Sequence, residues 1–526
     1  MVTSITKIKF PELFFGFVAP IGADFSPAVG AFRSYLEAHK YDVIEIKVTD
    51  VFQLLEKYIP PERPLKRTPL QDRYQTHIDY GNQLRKIFGN AVLAQTVINR
   101  IIRRRTRVNR TQEEKYSKVA FLIHQFKRKE EVDLLRSVYG RLFMQISVYS
   151  RRGARVDYLS RRFADSRNSA MAQQFRAEAE SLIQRDENEM DVPHGQTVGK
   201  IFHDADFIVS LDSETETPEA QVRRFCELIF GSNSISPTRA EYGMFLARAA
   251  ALRTLDLSRP VGAAIFSSDG EIVCLGSNEV PKANGGTYWP EDRFDDREYK
   301  RGIDSNNERK REIISEIIQI LKVDRSVESV LSEQSMRDSQ FMDALEYGRI
   351  IHAEMSAICD AARLGKSVKG ATLFTTTFPC HMCAKHIVAA GIDKVVFLEP
   401  YPKSLASEFH SDSLEIEGGD RGKYQHFPFV KFTHFYGVTP RRFAGFFERG
   451  RRKNEKGIFL SYVDGEAAPM MNIYAPFYHM LEQICLEETS NILSFASDEE
   501  GQAGTQGSSR KRRARKPSGS KPSSSS

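Results

Sequence analysis

The chain has 526 residues, of which 41% are hydrophobic, 27% charged and 10% aromatic. This composition excludes a collagen, a coiled-coil rod, a disulfide scaffold and a wholly disordered chain, and the length favours two to four domains. The formal net charge is +6, but seven basic residues without an acid lie in 510–521, so the remainder carries −1. A nearly neutral folded part argues against polynucleotide binding, because phosphate contacts dominate nucleic-acid affinity.

The cysteines and the apolar segments indicate a cytoplasmic protein. Only Cys380 and Cys383, of six cysteines, are close in sequence, which suits a reducing compartment and metal binding better than disulfides. The longest apolar stretch, Leu13–Ala23, is shorter than the roughly 20 residues of a membrane span. Pro20 and Gly22 interrupt it, so a buried strand is favoured over a signal peptide. We therefore expect no membrane association.

In chain order, residues 1–232 alternate apolar runs with helical segments. The runs, each of which predicts a strand, are Leu13–Ala19, Asp42–Val48, Val119–Gln125, Leu142–Tyr149 and Phe207–Leu211. Helical patterns such as Ser26–His39 and Lys127–Tyr139 separate them. This alternation predicts an α/β domain with a mainly parallel sheet covered by helices. Six arginines crowd residues 100–110, and a solvated helix face is favoured for them over phosphate or RNA contacts.

Residues 233–494 form a second predicted α/β domain. Ser236 and Pro237 are expected to open its first helix, and Asp269-Gly270 between two apolar runs predicts a β-hairpin. Later elements are a helix over 353–364, a strand over Ala371–Thr377, a helix over 381–390 and a strand over Lys394–Leu398. Residues 495–526, which are rich in serine and basic residues, cannot bury a core and are expected to be disordered.

The second domain carries a metal-binding pattern, His352-Ala-Glu354 followed by Pro379-Cys380-His-Met-Cys383. It is the signature of zinc deaminases. Cys380 and Cys383, three residues apart at a helix start, place both sulfurs on one helix face, where the helix N-terminus favours thiolates. With His352 they make three zinc ligands, and three protein ligands leave one tetrahedral position open, as in catalytic sites.

Glu354 is the predicted catalytic residue. It lies two residues beyond a ligand, so it can share the pocket without binding zinc and transfer protons from water to a cytosine ring and its departing ammonia. The alternatives are a structural zinc site, with His381 or His386 as the fourth ligand, or no metal site at all.

Residues 239–445 resemble the cytidine and deoxycytidylate deaminase superfamily, which implies a mixed five-stranded sheet with zinc between two helix starts. The segment Gly276-Ser-Asn278-Glu-Val-Pro281 is similar to one whose asparagine contacts the nucleotide sugar and base. The resemblance therefore implies substrate binding by Asn278, and a turn-forming asparagine is the alternative. The segment between Asn278 and His352 is longer than a minimal deaminase requires. It holds four basic candidates for triphosphate contacts, Lys282, Arg293, Arg297 and Arg301.

The whole chain resembles the bacterial anti-phage dCTP deaminases, in which a P-loop-kinase-like domain precedes the deaminase. The stretches that carry this resemblance are Phe15–Asp24, Ile123–Glu131, His194–Gln196 with Ala205-Asp206, and Tyr347–Glu354. The resemblance implies conversion of dCTP, and also of dCMP, to the deoxyuridine form, with Zn²⁺ as cofactor and depletion of dCTP as antiviral defence. It further implies an inhibitory RNA or protein regulator, and superfamily members often form homo-oligomers.

The loop after the first strand departs from a working kinase. A Walker A motif has four residues between its two glycines, followed by Lys and then Ser or Thr. In this chain five residues separate Gly16 from Gly22, and Ala23-Asp24 stand where the Lys and the hydroxyl residue would be. Asp24 would repel a phosphate. Backbone N–H groups at Pro20–Gly22, ahead of a helix at Ser26, can still bind an anion, and an ordinary turn fits equally well. A sensing or scaffold role is favoured over ATP hydrolysis.

Three other functions compete with dCTP deamination. A housekeeping dCMP deaminase needs only the second domain. A polynucleotide deaminase has the basic tail as its only support. A nucleotide kinase or nucleotide-dependent switch would need the Walker lysine, which this chain lacks after Gly22. Free deoxycytidine nucleotides are thus the expected substrates.

Overall fold

The computed structural model describes residues 8–107, 116–187, 194–448, 450–460, 467–471, 473–474 and 477–490. They form two compact units: one from the described parts of Met1–Val148, Ala154–Phe202 and Val463–Ser526, the other from Tyr149–Gly153 and the described parts of His203–Tyr462. The domains expected at 1–232 and 233–494 stay a prediction, and the tail 495–526 lies outside the described residues. None of the described helices combines the length and apolar character that crossing a bilayer requires.

The first unit is built on four parallel strands in the order β2, β3, β1, β4. These strands are β1 Leu13–Val18, β2 Asp42–Lys47, β3 Val119–His124 and β4 Phe143–Tyr149. The helices between and after them are α1 Ser26–Ala38, α2 Phe52–Leu55, α3 Leu70–Phe88, α4 Val92–Arg107, α5 Lys129–Tyr139, α6 Arg152–Ser166, α7 Arg176–Glu187 and α8 Val198–Ile201. Every residue of β1 and β3 is buried, as in a parallel sheet covered on both faces. The predicted parallel sheet is confirmed.

A buried ion cluster joins distant parts of the chain within this unit. Arg105 of α4 is only 3% exposed and donates hydrogen bonds to Glu12 and Glu482 at 2.7–2.9 Å. Glu482 belongs to a helical segment over 478–490, and Tyr478 also donates to Glu12 at 2.7 Å. For Arg105 the expected solvated helix face is wrong, because two carboxylates remote in sequence surround its guanidinium.

The second unit contains a mixed sheet in the order β10, β11, β9, β8, β6, β7. Its strands are β6 Gly262–Phe266, β7 Ile272–Ser277, β8 Thr372–Thr377, β9 Lys394–Glu399, β10 Leu414–Ile416 and β11 Val430–His434. Two short strands, β5 Phe207–Ser210 and β12 Gly437–Val438, pair antiparallel. The main sheet has six strands rather than the five implied by the resemblance, because the short strand β10, which precedes β11 in the chain, pairs parallel with the outer edge of β11.

Eleven helices accompany these strands among the described residues: α9 Pro218–Ile229, α10 Arg239–Ala251, α11 Glu298–Arg301, α12 Ser305–Leu321, α13 Val327–Ser332, α14 Gln334–Arg337, α15 Gln340–Asp343, α16 Ala353–Arg363, α17 His381–Ala389, α18 Ala406–Phe409 and α19 Phe443–Phe447. The predicted hairpin is confirmed as β6 and β7. Thr238, rather than Ser236, caps α10: its side chain accepts from the Glu241 N–H at 3.1 Å, and the Glu241 carboxylate accepts from the Thr238 N–H. This reciprocal pair is a capping box.

Small residues bring α16 onto the sheet. Ala353, Ala357 and Ala361 on one face of α16 are completely buried. Opposite them lies Gly276 of β7, where an added Cβ would lie 2.1 Å from the Ala353 carbonyl oxygen. Real Cβ atoms do not approach backbone so closely, so only glycine permits this packing. The contact fixes where α16 begins.

We therefore expect Gly276→Ala to lower the free energy of unfolding by about 1–3 kcal/mol, as overpacked cores do. Urea unfolding measures this. Gly30→Ala is the matched control, because Gly30 is an exposed position of α1 with nothing within 4 Å of an added Cβ. The control should be unchanged or more stable, since alanine favours helices. Equal stability of Gly276→Ala and the wild type would contradict this account of the α16 contact.

Candidate active site

Two helix starts bring three metal-binding side chains together. His352 directly precedes α16, Cys380 directly precedes α17, and Cys383 lies in the first turn of α17. The His352 Nδ1 atom lies 3.3 Å from each of the two sulfurs. The ligand atoms of all three residues lie within 4.8 Å of one another. The structure thus assembles the three predicted zinc ligands at one point.

The protonation of this cluster suits a cation. Cys383 and His352 hydrogen-bond to Cys380 and lower the pKa of its thiol to about 4, whereas the same contact raises the pKa of Cys383. Two neighbouring buried thiolates repel each other unless a cation lies between them. Soft thiolates with an imidazole are a donor set that zinc prefers. The residues therefore fit a zinc ion.

The two histidines considered as fourth ligands are directed elsewhere. His381 Nε2 lies 3.4 Å from a carboxylate oxygen of Glu346, and His386 Nδ1 lies 2.7 Å from the Met382 carbonyl oxygen. Within the part of the chain that the structure describes, the clustered ligand set holds His352, Cys380 and Cys383 alone. This favours three protein ligands with an open position over a closed structural site.

Glu354 lies beside the three ligands in the first turn of α16. Its side chain is 3% exposed, and burial raises the pKa of its carboxyl. Thr375 of β8 donates to Glu354 Oε1 at 2.9 Å, and the Cys383 thiol lies 3.3 Å from Oε2. A buried carboxyl with a raised pKa, held in one orientation, is suited to proton transfer near neutral pH. Sequence reasoning did not identify Thr375.

A cavity opens onto this cluster. Its walls include the ligands His352 and Cys380, the carboxylate of Glu354 and several side chains from other segments, namely Asp256, Arg259, Asn278, Leu345, Thr377, Phe378 and Tyr401. Phe378 and Tyr401 offer aromatic surfaces of the kind that stack on nucleobases. Arg259 is the basic residue of this wall and pairs with Glu399 at 3.0 Å. The proximity of Asp256, Leu345 and Tyr401 had no signal in the sequence, because each lies in a separate loop.

The four basic residues expected near a triphosphate have other partners. Lys282 pairs with Asp292 at 2.6 Å and the buried Arg297 with Asp295 at 2.8 Å. Arg301 pairs with Asp296, and Arg293 lies over the Phe294 ring. The cavity wall includes none of the four basic residues. A triphosphate role for them therefore has no support in this structure.

Asn278 reaches the cavity, but its amide is engaged with the protein. Its Oδ1 accepts from the Val261 N–H at 2.7 Å, and its Nδ2 donates to the Arg259 carbonyl at 2.9 Å and to the Asp256 carboxylate. Both amide hydrogens are thus used, and one acceptor lone pair is left for other contacts. Asn278 fixes the loop that forms one cavity wall. Its contact with substrate stays a prediction.

The comparison with family models and curated proteins points to one enzyme class. Residues 237–399 match the family "Cytidine and deoxycytidylate deaminase zinc-binding region". The deoxycytidylate deaminase of Enterobacteria phage T2 is 52% identical over 54 residues, 10% of this chain and 29% of that protein. The human deoxycytidylate deaminase is 29% identical over 158 residues, 30% of this chain and 63% of that protein. The chain thus spans less than two thirds of these relatives.

A solved structure is also similar to the chain. The dCMP deaminase from the cyanophage S-TIM5, in complex with dCMP and dUMP, matches with a TM-score of 0.22 and 18% sequence identity. The match covers 38% of this chain and 100% of that one.

We expect purified wild-type protein to hold one zinc ion per chain and Cys383→Ala to lose it, because two ligands cannot compete with water for the ion as three do. Metal analysis after dialysis measures this. Cys359→Ala is the matched control, since Cys359 is an exposed free thiol outside the cluster, and it should keep its zinc. Full zinc occupancy in Cys383→Ala would refute the ligand assignment.

For Asn278→Ala we expect a free energy of unfolding lower by roughly 1–3 kcal/mol, the usual penalty for a donor that loses its partner, here the Val261 N–H. Urea unfolding and the KM for nucleotide separate the two roles of this residue. Unchanged stability together with a raised KM would mean that Asn278 acts on the substrate alone.

Proposed function

We propose that this chain, whose residues 237–399 match the cytidine and deoxycytidylate deaminase zinc-binding family, is a zinc-dependent hydrolase that converts dCTP to dUTP and ammonia. The observation that carries the proposal is the buried carboxyl of Glu354 beside the ligand cluster of His352, Cys380 and Cys383. A ligand set with an open position and an adjacent proton carrier is the arrangement that zinc deaminases use.

The chemistry requires water to replace the amino group at C4 of the cytosine ring. One C–O bond forms and one C–N bond breaks, and the protons of water leave with ammonia or on the ring nitrogen. Glu354 takes one proton from the attacking water and passes it to the ring nitrogen, then takes the second proton from the new C4 hydroxyl and passes it to the departing amine. Its raised pKa matches a group that must both accept and donate within one turnover.

His352, Cys380 and Cys383 would hold the zinc ion, whose Lewis acidity would make water available as a nucleophile near neutral pH. Thr375 holds Glu354 through the hydrogen bond to Oε1 and so fixes the direction of proton transfer. Phe378 and Tyr401 line the cavity, and under this proposal their aromatic surfaces contact the base and exclude water from it.

The nucleotide class rests on relatives, and dCTP rests on the resemblance of the whole chain to anti-phage dCTP deaminases. Under this proposal the enzyme depletes dCTP during phage infection, in the cytoplasm, as a homo-oligomer restrained by an inhibitory RNA or protein. The second candidate is dCMP deamination, which the names of the phage T2 and human relatives favour. Both candidates use the same site chemistry and differ in how the phosphates are bound.

The test is ammonia release and product chromatography with zinc-replete protein on dCTP, dCMP, CTP, deoxycytidine and single-stranded DNA. We expect turnover of dCTP. Glu354→Gln should lower kcat by at least about 100-fold, the usual contribution of a proton-transferring residue, and should keep its zinc because Glu354 is not among the clustered ligands. Glu312→Gln is the control, since Glu312 is an exposed side chain of α12 paired with Arg309.

The outcomes separate the candidates. Turnover of dCMP alone would establish the second candidate, and turnover of DNA alone would overturn both. Wild-type activity in Glu354→Gln would refute the proposed proton transfer, whatever the substrate.

A further inference from the structure

The strand order of the first unit marks one position, at the carboxyl ends of two strands, where a ligand would bind. The adjacent strands β1 and β3 run parallel, and the chain leaves them in opposite directions, from β1 to β2 beyond β3 and from β3 to β4 beyond β1. In open α/β sheets, ligands bind outside the carboxyl ends of strands at such a switch point. Ile21 follows the end of β1 by three residues, and Lys127 follows the end of β3 by three.

This position is occupied by the carboxylate of Asp186. The Ile21 N–H donates to Asp186 Oδ2 at 2.7 Å, and Lys127 Nζ donates to Asp186 Oδ1 at 2.8 Å and to the Ala19 carbonyl at 3.0 Å. Asp186 is completely buried, and Lys127 is 7% exposed. A backbone N–H of the loop after β1 and a lysine of the loop after β3 thus bind two oxygens of one anion, as they would bind a phosphate.

Burial of the Asp186 carboxylate is costly without a specific partner. Asp186 and Glu187 are the last described residues of α7. Each acid meets a cation from another element: Asp186 meets Lys127, and Glu187 meets Arg155. A buried carboxylate is tolerated only when a charge and hydrogen bonds compensate it. The loop and Lys127 supply that compensation in full.

A second carboxylate and a close contact occupy the rest of the loop. Asp24 accepts from the Ser26 N–H at 3.2 Å, at the start of α1, where an anionic ligand would otherwise bind. Gly22 has φ +91°, and an added Cβ there would lie 2.9 Å from the Arg155 carbonyl oxygen. The Ile21 N–H and the Ser26 N–H are therefore both bonded to carboxylates of the protein itself, those of Asp186 and Asp24.

We propose that Asp186 is an internal ligand that fills the phosphate position of the first unit, so that this unit is a locked scaffold that takes up no nucleotide. The same geometry makes this position a latent site for a phosphate dianion, formed by the Ile21 N–H and Lys127, which becomes available when the carboxylate is removed. This proposal concerns the first unit alone and does not depend on the deamination.

The test compares thermal unfolding of the full-length chain in inorganic phosphate and in chloride of equal ionic strength. Asp186→Ala removes the internal ligand and leaves Lys127 in place. We expect phosphate to raise its unfolding temperature by roughly 3 °C more than that of the wild type at saturating concentration. Asp133→Ala is the control, because Asp133 is an exposed acid of α5 paired with Lys129. Phosphate that binds at any other site raises the unfolding temperature of all variants equally, so its effect cancels in the difference between variants.

The double variant Lys127→Ala with Asp186→Ala should lose the extra phosphate effect, because the cation of the latent site is gone. An equal phosphate effect in Asp186→Ala and the wild type would overturn the latent site. If Asp186→Ala does not fold, Asp186→Ser is measured in the same way. Equilibrium dialysis of wild-type protein with ADP is an independent experiment. ADP binding by the wild type that Lys127→Ala abolishes would overturn the locked scaffold. No ADP binding by the wild type would support the locked scaffold.

Discussion

The candidate active site depends on the close packing of α16 against the edge of the six-stranded sheet. Gly276 lets the backbone of α16 approach β7 nearly as closely as atoms allow, and the buried alanines of α16 complete the contact. Because His352 directly precedes the helix and Glu354 lies in its first turn, this single contact sets the position of a metal ligand and of the proton carrier together. Strand β8 then holds Glu354 through Thr375.

The elements that the sequence predicts well are those with a local pattern. The apolar runs of the first unit, the Asp269-Gly270 hairpin and the ligand set of His352, Cys380 and Cys383 each depend on residues close in sequence or on a specific motif. The cavity wall had no such pattern, because Asp256, Leu345 and Tyr401 come from three separate loops. Only the folded chain brings them to one place.

Two features of the first unit depend on charge pairs between residues far apart in the sequence. Arg105 belongs to a run of arginines, and charge density alone indicated a solvated surface, yet two distant carboxylates bury it. For the loop after β1 the sequence left an anion site and an ordinary turn open, and in the structure this loop binds the protein's own Asp186, 165 residues away along the chain. Charge pairing over such separations cannot be read from composition or spacing, because it depends on the tertiary fold.

The cluster around Arg105 has a consequence for biosynthesis. It ties Glu12, near the start of the described chain, to Glu482, near its end, and the whole second unit lies between them in sequence. The ribosome therefore releases every residue of the zinc cluster before the first unit can be completed. Until Glu482 emerges, Arg105 has one of its two carboxylate partners missing, and a nascent chain must keep this guanidinium hydrated or covered by other means.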